Sequence, residues 1–202
     1  SMLQGNNVAG GAQNLSQHEK GAFTGAVAPG MLVDFGCRYV IIGHSERRAL
    51  FHESNDIAAA KFDTAIKFGL TPIFCVGETL DERESGVTEQ VVGRQLEVVL
   101  NHVGAQALAK AVIAYEPVWA IGTGLTPTTD DVAEVHAAIR HQLVARFHDE
   151  GRRMRIGLIQ TFGDATRAQF SGIGALPLHR SQLRYVIPTL ITTTAMPGLI
   201  RP

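Results

Sequence analysis

The chain has 202 residues, 45% of them apolar and 18% charged, with a net charge of −1. It is too apolar for a disordered chain, and long enough for one domain with a sizeable core. A near-zero net charge offers no footprint for nucleic acid or anionic lipid, so neither is expected as a partner.

Taken in chain order, short apolar runs alternate with longer helical patterns. Val8–Ala12 is a weak first strand candidate, followed by Tyr39–Ile42, Thr71–Val76, Ala111–Tyr115 and Met154–Ile159. Their apolar residues are consecutive rather than alternate, as in parallel strands buried on both faces. Ser54 and Asn55 offer caps for a helix to about Phe68, with Gly69 as its stop. Val87–Val103 repeats the form, with Val91, Val92, Leu96, Val99, Leu100 and Val103 on one face and Gly104 behind. Thr128 and Thr129 can cap a third helix, with Asp130, Asp131 and Glu134 near its N-terminus, running to about Asp149. Strand–helix repetition implies βαβ units and an α/β fold with a parallel sheet. A doubly wound sheet and a β/α barrel both fit, and both place chemistry at the carboxyl ends of the strands.

The composition changes near Asp164. Residues 165–202 contain no acidic residue and no lysine but hold Arg167, Arg180, Arg184 and Arg201, so this segment carries +4 and residues 1–164 carry −5. Only Tyr185–Ile187 and Leu190–Thr194 read as short strands there. No run approaches the roughly 18 apolar residues of a membrane helix, and no charged stretch followed by an apolar one opens the chain. Cys37 and Cys75 are too few for a disulfide framework, so a reducing, cytoplasmic setting is expected.

One pair of residues stands out chemically. His44 follows the run Tyr39–Gly43, and Glu116 follows Ala111–Tyr115. In a parallel sheet both side chains reach the same rim, where a carboxylate base and an imidazole can flank one small substrate. After Glu116, the stretch 117–124 starts with rigid Pro117, carries bulky Trp119 and ends near Gly122 and Gly124, which suits a lid hinged at both ends. Each feature also has a plainer reading: a polar cap for His44, a solvated loop for Glu116, a turn for the glycines, a surface ion-pair cluster for Ser45–Arg48. The remaining histidines show no paired metal-ligand spacing, so no metal is expected.

The motifs Gly11-Ala-Gln-Asn14, Gly21-Ala-Phe-Thr-Gly25, Val40-Ile-Ile-Gly-His-Ser-Glu-Arg-Arg48, Cys75-Val-Gly-Glu78, Ala114-Tyr-Glu-Pro-Val-Trp-Ala-Ile-Gly-Thr-Gly124 and Val135-His-Ala-Ala-Ile-Arg140 together closely resemble the triosephosphate isomerase family. They follow the family's order from about residue 8 to residue 156. The resemblance implies a (β/α) barrel-type fold and the interconversion of dihydroxyacetone phosphate and D-glyceraldehyde 3-phosphate. By the same resemblance Glu116 moves the proton and His44 polarises the carbonyl. Residues 117–124 are then the lid, with the Gly122 amide on the phosphate. Ser45, Glu46, Cys75 and Gln13 match supporting positions. Gln13 and Gly21–Gly25 resemble the loop that docks on a partner subunit, with Thr24 reaching towards its site, which implies a homodimer or higher homo-oligomer. No cofactor is implied, because the substrate's own carbonyl is the electron sink.

The departures carry expectations too. The chain starts near what would be the family's third strand, so the first two βα units and their Asn-x-Lys are absent from these 202 residues. After Ile156 the family's Tyr-Gly-Gly-Ser and Gly-Gly phosphate loops are missing, as a shifted reading frame or a fusion junction would explain. One domain over residues 1–202, family-like over 8–156 and atypical from 157, is expected. Its isomerase activity is expected to be impaired, the alternative being an inactive barrel remnant that serves as an oligomeric or partner-binding module.

Overall fold

The computed structural model describes residues 9–162 and 165–169. β1 (Gly11–Ala12) leads through α1 (Pro29–Asp34) to β2 (Tyr39–Ile42), which is followed by α2 (Ser45–Leu50) and α3 (Asn55–Lys67). β3 (Thr71–Val76) precedes α4 (Leu80–Glu84), α5 (Thr88–Val103) and α6 (Ala105–Leu108). β4 (Val112–Tyr115), a 3₁₀ turn at Val118–Ala120, α7 (Thr129–Arg153), β5 (Arg155–Phe162) and β6 (Ala165–Gln169) complete the order.

The five strands β1 to β5 are parallel, and each pairs with the next in the chain. A doubly wound sheet reverses its strand order partway, and this one does not. Its winding is that of a β/α barrel, which decides between the two architectures the periodicity allows. Successive strand residues point to opposite faces. Val40, Ile42, Phe74, Val76, Ile113 and Tyr115 pack with Ala58, Phe62, Val92, Leu96, Val135 and Ile139 of the helices. Ile41, Ile73, Cys75, Val112, Ala114 and Ile159 form a second cluster from the alternate positions. Burial on both faces is why these strands read as unbroken apolar runs.

The caps fall where the sequence puts them. Ser54 Oγ accepts the Ile57 N–H at 3.2 Å to start α3. Thr128 Oγ1 accepts the Asp131 N–H at 3.1 Å, and the Asp131 carboxylate accepts the Thr128 N–H at 2.8 Å. This reciprocal pair satisfies two donors at the start of α7.

Elsewhere the structure corrects the sequence reading. Within the described part of the expected Val8–Ala12 run, only Gly11 and Ala12 are strand. α7 does not stop near Asp149: His148, at φ 49°, breaks it, and helix resumes to Arg153. There Arg140 Nη1 donates to the carbonyls of Gly151 at 2.6 Å and Arg152 at 3.1 Å. A Cβ on Gly151 would overlap the Leu143 carbonyl, so this fold-back requires glycine. β5 extends to Phe162, and β6 returns antiparallel to it with Phe162 opposite Ala165. The helices α1, α2, α4 and α6 are too short for a 3.6-residue period to show. The candidate strands Tyr185–Ile187 and Leu190–Thr194 lie outside the described residues. Among the described residues no helix is long and apolar enough to cross a membrane.

Candidate active site

β2 ends at Ile42, and the chain turns through Gly43, whose φ of 73° favours glycine. This turn sets His44 as the N-cap of α2, where its Nδ1 accepts the Glu46 N–H at 3.3 Å. That bond commits the Nδ1 lone pair and leaves Nε2 as the ring nitrogen that can donate.

On the neighbouring part of the rim, the Glu116 N–H extends the β3–β4 pairing by donating to the Val76 carbonyl at 2.8 Å. Beside it a Cβ on Gly77 would fall on the Glu116 carbonyl oxygen, so only glycine permits the approach. Gln95 clasps the Gly77 peptide, accepting its N–H at 2.9 Å and donating to its carbonyl at 3.0 Å. The Glu116 carboxylate is only 2% exposed. Oε2 accepts the Ser45 N–H at 2.8 Å and Oε1 accepts the Ser45 hydroxyl at 2.7 Å. His44 Nε2 lies 3.1 Å from Oε1. It is off the hydrogen-bond direction, however, and has no hydrogen-bond partner among the described residues.

Burial raises the Glu116 carboxyl above its ordinary range, the nearby His44 and the two Ser45 donors pull it back, and Glu46 pushes it up again. Charge is therefore expensive on Glu116 but hydrogen-bonded, as suits a base that must both hold and release a proton. Cys75 is fully buried in the second cluster, and burial pushes its thiol well up, with a further push from Glu116. It acts as packing beside the base, since a thiol held neutral is a poor nucleophile. Among the described residues no group of three or more His, Cys, Asp or Glu side chains is placed to hold a metal ion.

Beyond Glu116, Trp119 of the segment 117–124 is linked through Tyr115 to a second buried carboxylate. Trp119 Nε1 donates weakly to the Tyr115 hydroxyl at 3.4 Å, and that hydroxyl donates to Glu78 Oε1 at 3.0 Å. Arg83 lies 4.4 Å over the Trp119 ring, reaches Glu78 Oε1 at 3.4 Å and pairs with Asp131 of α7. Glu78 is fully buried, and its Oε2 has no hydrogen-bond partner among the described residues. Burial raises the Glu78 carboxyl and holds the Tyr115 phenol well above its usual range. Thr123 Oγ1 donates to the Trp119 carbonyl at 3.0 Å, while Gly122 and Gly124 sit exposed at φ 70° and 78°.

Of the residues singled out from the sequence, the structure thus brings His44, Ser45, Glu46, Cys75 and Glu116 to one patch of rim. Gln13, Thr24 and Gly122 are exposed. Tyr115, Glu78 and Arg83 carry no role of their own in the sequence reading. The Cys75-Val-Gly-Glu78 and Ala114-Tyr-Glu-Pro motifs contain Glu78 and Tyr115, but nothing in the sequence joins the two, which lie 37 residues apart in the chain.

A singly wound parallel β/α sheet with an imidazole and a carboxylate at its carboxyl rim defines a protein of the β/α-barrel class. A sequence model of the triosephosphate isomerase family matches residues 1–158. The triosephosphate isomerase of Thiobacillus denitrificans is 55% identical over 166 residues, covering 82% of this chain and 65% of that protein. That of Dechloromonas aromatica is 59% identical over 140 residues, covering 69% and 56% respectively. That of Nitrosococcus oceani is 60% identical, with the same two coverages of 69% and 56%. The chain belongs to the triosephosphate isomerase family, and its match spans less than two thirds of the length of these curated relatives.

Proposed function

We propose that this chain carries the proton-transfer half of a triosephosphate isomerase site and interconverts dihydroxyacetone phosphate and D-glyceraldehyde 3-phosphate at reduced rate. The observation that carries the reading is the buried Glu116 carboxylate with the His44 Nε2 3.1 Å from its Oε1 and free of any hydrogen-bond partner among the described residues. Glu116 takes the proton from the carbon beside the carbonyl. His44 donates its Nε2 proton to the oxygen that becomes negative and takes back the proton of the neighbouring hydroxyl, while Glu116 returns the carbon proton to the adjacent carbon. Both Glu116 oxygens are held by Ser45, so the carboxylate must leave Ser45 to reach substrate. Closure of residues 117–124, with the Gly122 amide on the phosphate, supplies the occasion and excludes water. The chemistry calls for no cofactor and no metal.

The rate is reduced because these 202 residues hold no Asn-x-Lys to neutralise the developing oxyanion. Losing one such fixed donor costs about 10²- to 10³-fold. Residues 1–202 act as one domain in the cytoplasm, without nucleic acid or membrane. The chain self-associates, Gln13 and Gly21–Gly25 with Thr24 docking on a second copy. A second reading, an inactive remnant serving as an oligomeric or partner-binding module, is favoured by one observation: Phe35, Leu50 and Phe51 are 88%, 70% and 61% exposed. A coupled isomerase assay beside sedimentation of the same sample separates the readings. The first expects measurable turnover, lost in Glu116→Gln, from an oligomer. Oligomers with no turnover above the Glu116→Gln control would leave only the second, and a compact monomer at micromolar concentration would refute the self-association common to both.

A further inference from the structure

Gly77 is the single residue between β3 and Glu78, and it lies beyond the strand pairing, which ends with Val76 opposite Tyr115. Its N–H belongs to the peptide before it, and its carbonyl to the peptide after it. The Gln95 side chain engages both. Oε1 accepts the N–H at 2.9 Å, and Nε2 donates to the carbonyl at 3.0 Å. One planar amide therefore restrains both backbone rotations of the residue type with the most conformational freedom. It also satisfies two backbone groups past the end of the strand ladder.

The Glu116 backbone rests on this locked residue. A Cβ added to Gly77 would come within 1.7 Å of the Glu116 carbonyl oxygen and 2.8 Å of its carbon, so the two backbones are in direct contact. The Glu116 N–H is bonded to the Val76 carbonyl at 2.8 Å. The main chain of the glutamate is thus seated on Val76 and Gly77, while its carboxylate is held by Ser45. Gln95 is half-buried and lines a cavity of about 290 Å³ with Arg48, Asn55, Glu82 and Arg94. It has open space on that side, so its two bonds, rather than close packing, keep it at Gly77. The helix that carries it, α5, is anchored by Val92, Leu96 and Val99 in the main cluster. The amide is offered from a fixed element to a residue with no side chain to fix itself.

We propose that Gln95 is a positioning residue for Glu116: by locking Gly77 it fixes the backbone seat from which the carboxylate moves between Ser45 and substrate. The inference rests on the reading of Glu116 as the base. A side chain that must leave Ser45 and return needs a main chain that stays in place through the exchange. Misplacing a reacting group by about 1 Å can cost about 10²-fold in rate. Gln95 acts one residue removed, through Gly77, and forms no hydrogen bond with Glu116 itself.

The test needs no turnover, so its failure is distinct from failure of the isomerase reading. In the ¹⁵N-labelled 202-residue chain two backbone amides are followed: Glu116, bonded to Val76, and Ser45, bonded to the Glu116 carboxylate. Gln95→Met keeps the reach of the side chain and removes both bonds to Gly77. It is expected to shift both amide signals. Val99→Ala, one turn further along α5, is the control for lost stability alone. It is expected to lower the unfolding midpoint and leave the two signals in place. Hydrogen exchange at the Glu116 amide should rise several-fold more in Gln95→Met than in Val99→Ala. Gln95→Glu at neutral pH keeps an acceptor for the Gly77 N–H but loses the donor to its carbonyl. It is expected to speed that exchange by less, and it stands in for Gln95→Met should that variant not fold. Unmoved Glu116 and Ser45 signals in folded Gln95→Met would overturn the proposal. So would equal movement in Val99→Ala, or unchanged Glu116 exchange in Gln95→Glu where that variant stands in.

Discussion

Two buried glutamates sit at the ends of neighbouring strands, Glu78 after β3 and Glu116 after β4, and burial pushes both carboxyls up. Their surroundings part there. Glu116 has both oxygens filled by one residue, Ser45, whose backbone and hydroxyl donate together. Glu78 has one oxygen shared between Tyr115 and Arg83 and the other without a partner among the described residues. Under the proposed function the first must exchange both bonds to Ser45 before it reaches substrate. The second is a fixed post with a vacant acceptor, set beneath a tryptophan that holds its present partner only weakly. The same group is thus held in two ways: the Glu116 carboxylate has both oxygens bonded, and the Glu78 carboxylate keeps one unbonded among the described residues.

The contrast can be broken from the base's side first. His44→Gln removes the one N–H offered to the substrate oxygen while leaving Glu116 on Ser45. It is expected to lower kcat by about 10²- to 10³-fold with little loss of stability, read in the coupled assay beside a denaturant titration. Breaking the contacts of Glu78 should cost less in rate and more in fold. Tyr115→Phe deletes a hydroxyl that donates to Glu78 and accepts from Trp119, leaving a buried carboxylate with one donor fewer. A loss of about 1–3 kcal/mol of stability is expected, measured by urea unfolding. An unchanged unfolding midpoint would show that these contacts carry no bond worth breaking.

The smallest effect sharpens the comparison through pH. A carboxyl raised on folding leaves the native state holding more protons than the unfolded one, so stability falls as pH rises from the ordinary value of 4.5 through the raised one. His136 works in the opposite sense. It lies edge-on to Tyr115 and beside the Gly157 carbonyl, and burial lowers its proton affinity, so its contribution is lost as pH falls below 6.5. Subtracting the pH profile of Glu116→Gln from that of the parent isolates Glu116. The variant should gain on the parent as pH rises from 4.5 to 8. Parallel profiles would mean that Ser45 and His44 fully offset the burial.

How much of this was legible before folding depends on the reach of each signal. Ser54, Gly69, Thr128 and Gly104 mark helix ends because capping is local chemistry. His44 and Glu116 are legible because each directly follows an apolar strand, and parallel strands share a rim. Glu78, Tyr115, Arg83 and Asp131 come from four different segments, and no spacing rule joins them. The same holds for Gln95 at Gly77. α7 outran its expected end because Arg140 and Gly151 tie the segment beyond His148 back onto the helix, a contact across 11 residues that periodicity does not encode.

The monotonic strand order has a consequence for how the chain acquires its shape. Every parallel pairing joins a strand to the one just before it, across chain lengths from 28 residues (Gly11 to Tyr39) to 43 (Val112 to Arg155). None of these pairings has to wait for a distant segment. Loop-closure entropy grows only slowly with such spans, and each new βα unit can dock on an edge already formed. During synthesis, at about 5–20 residues per second, successive strands would emerge seconds apart. The sheet can therefore be laid down in the direction of translation, with its growing edge always the strand most recently made.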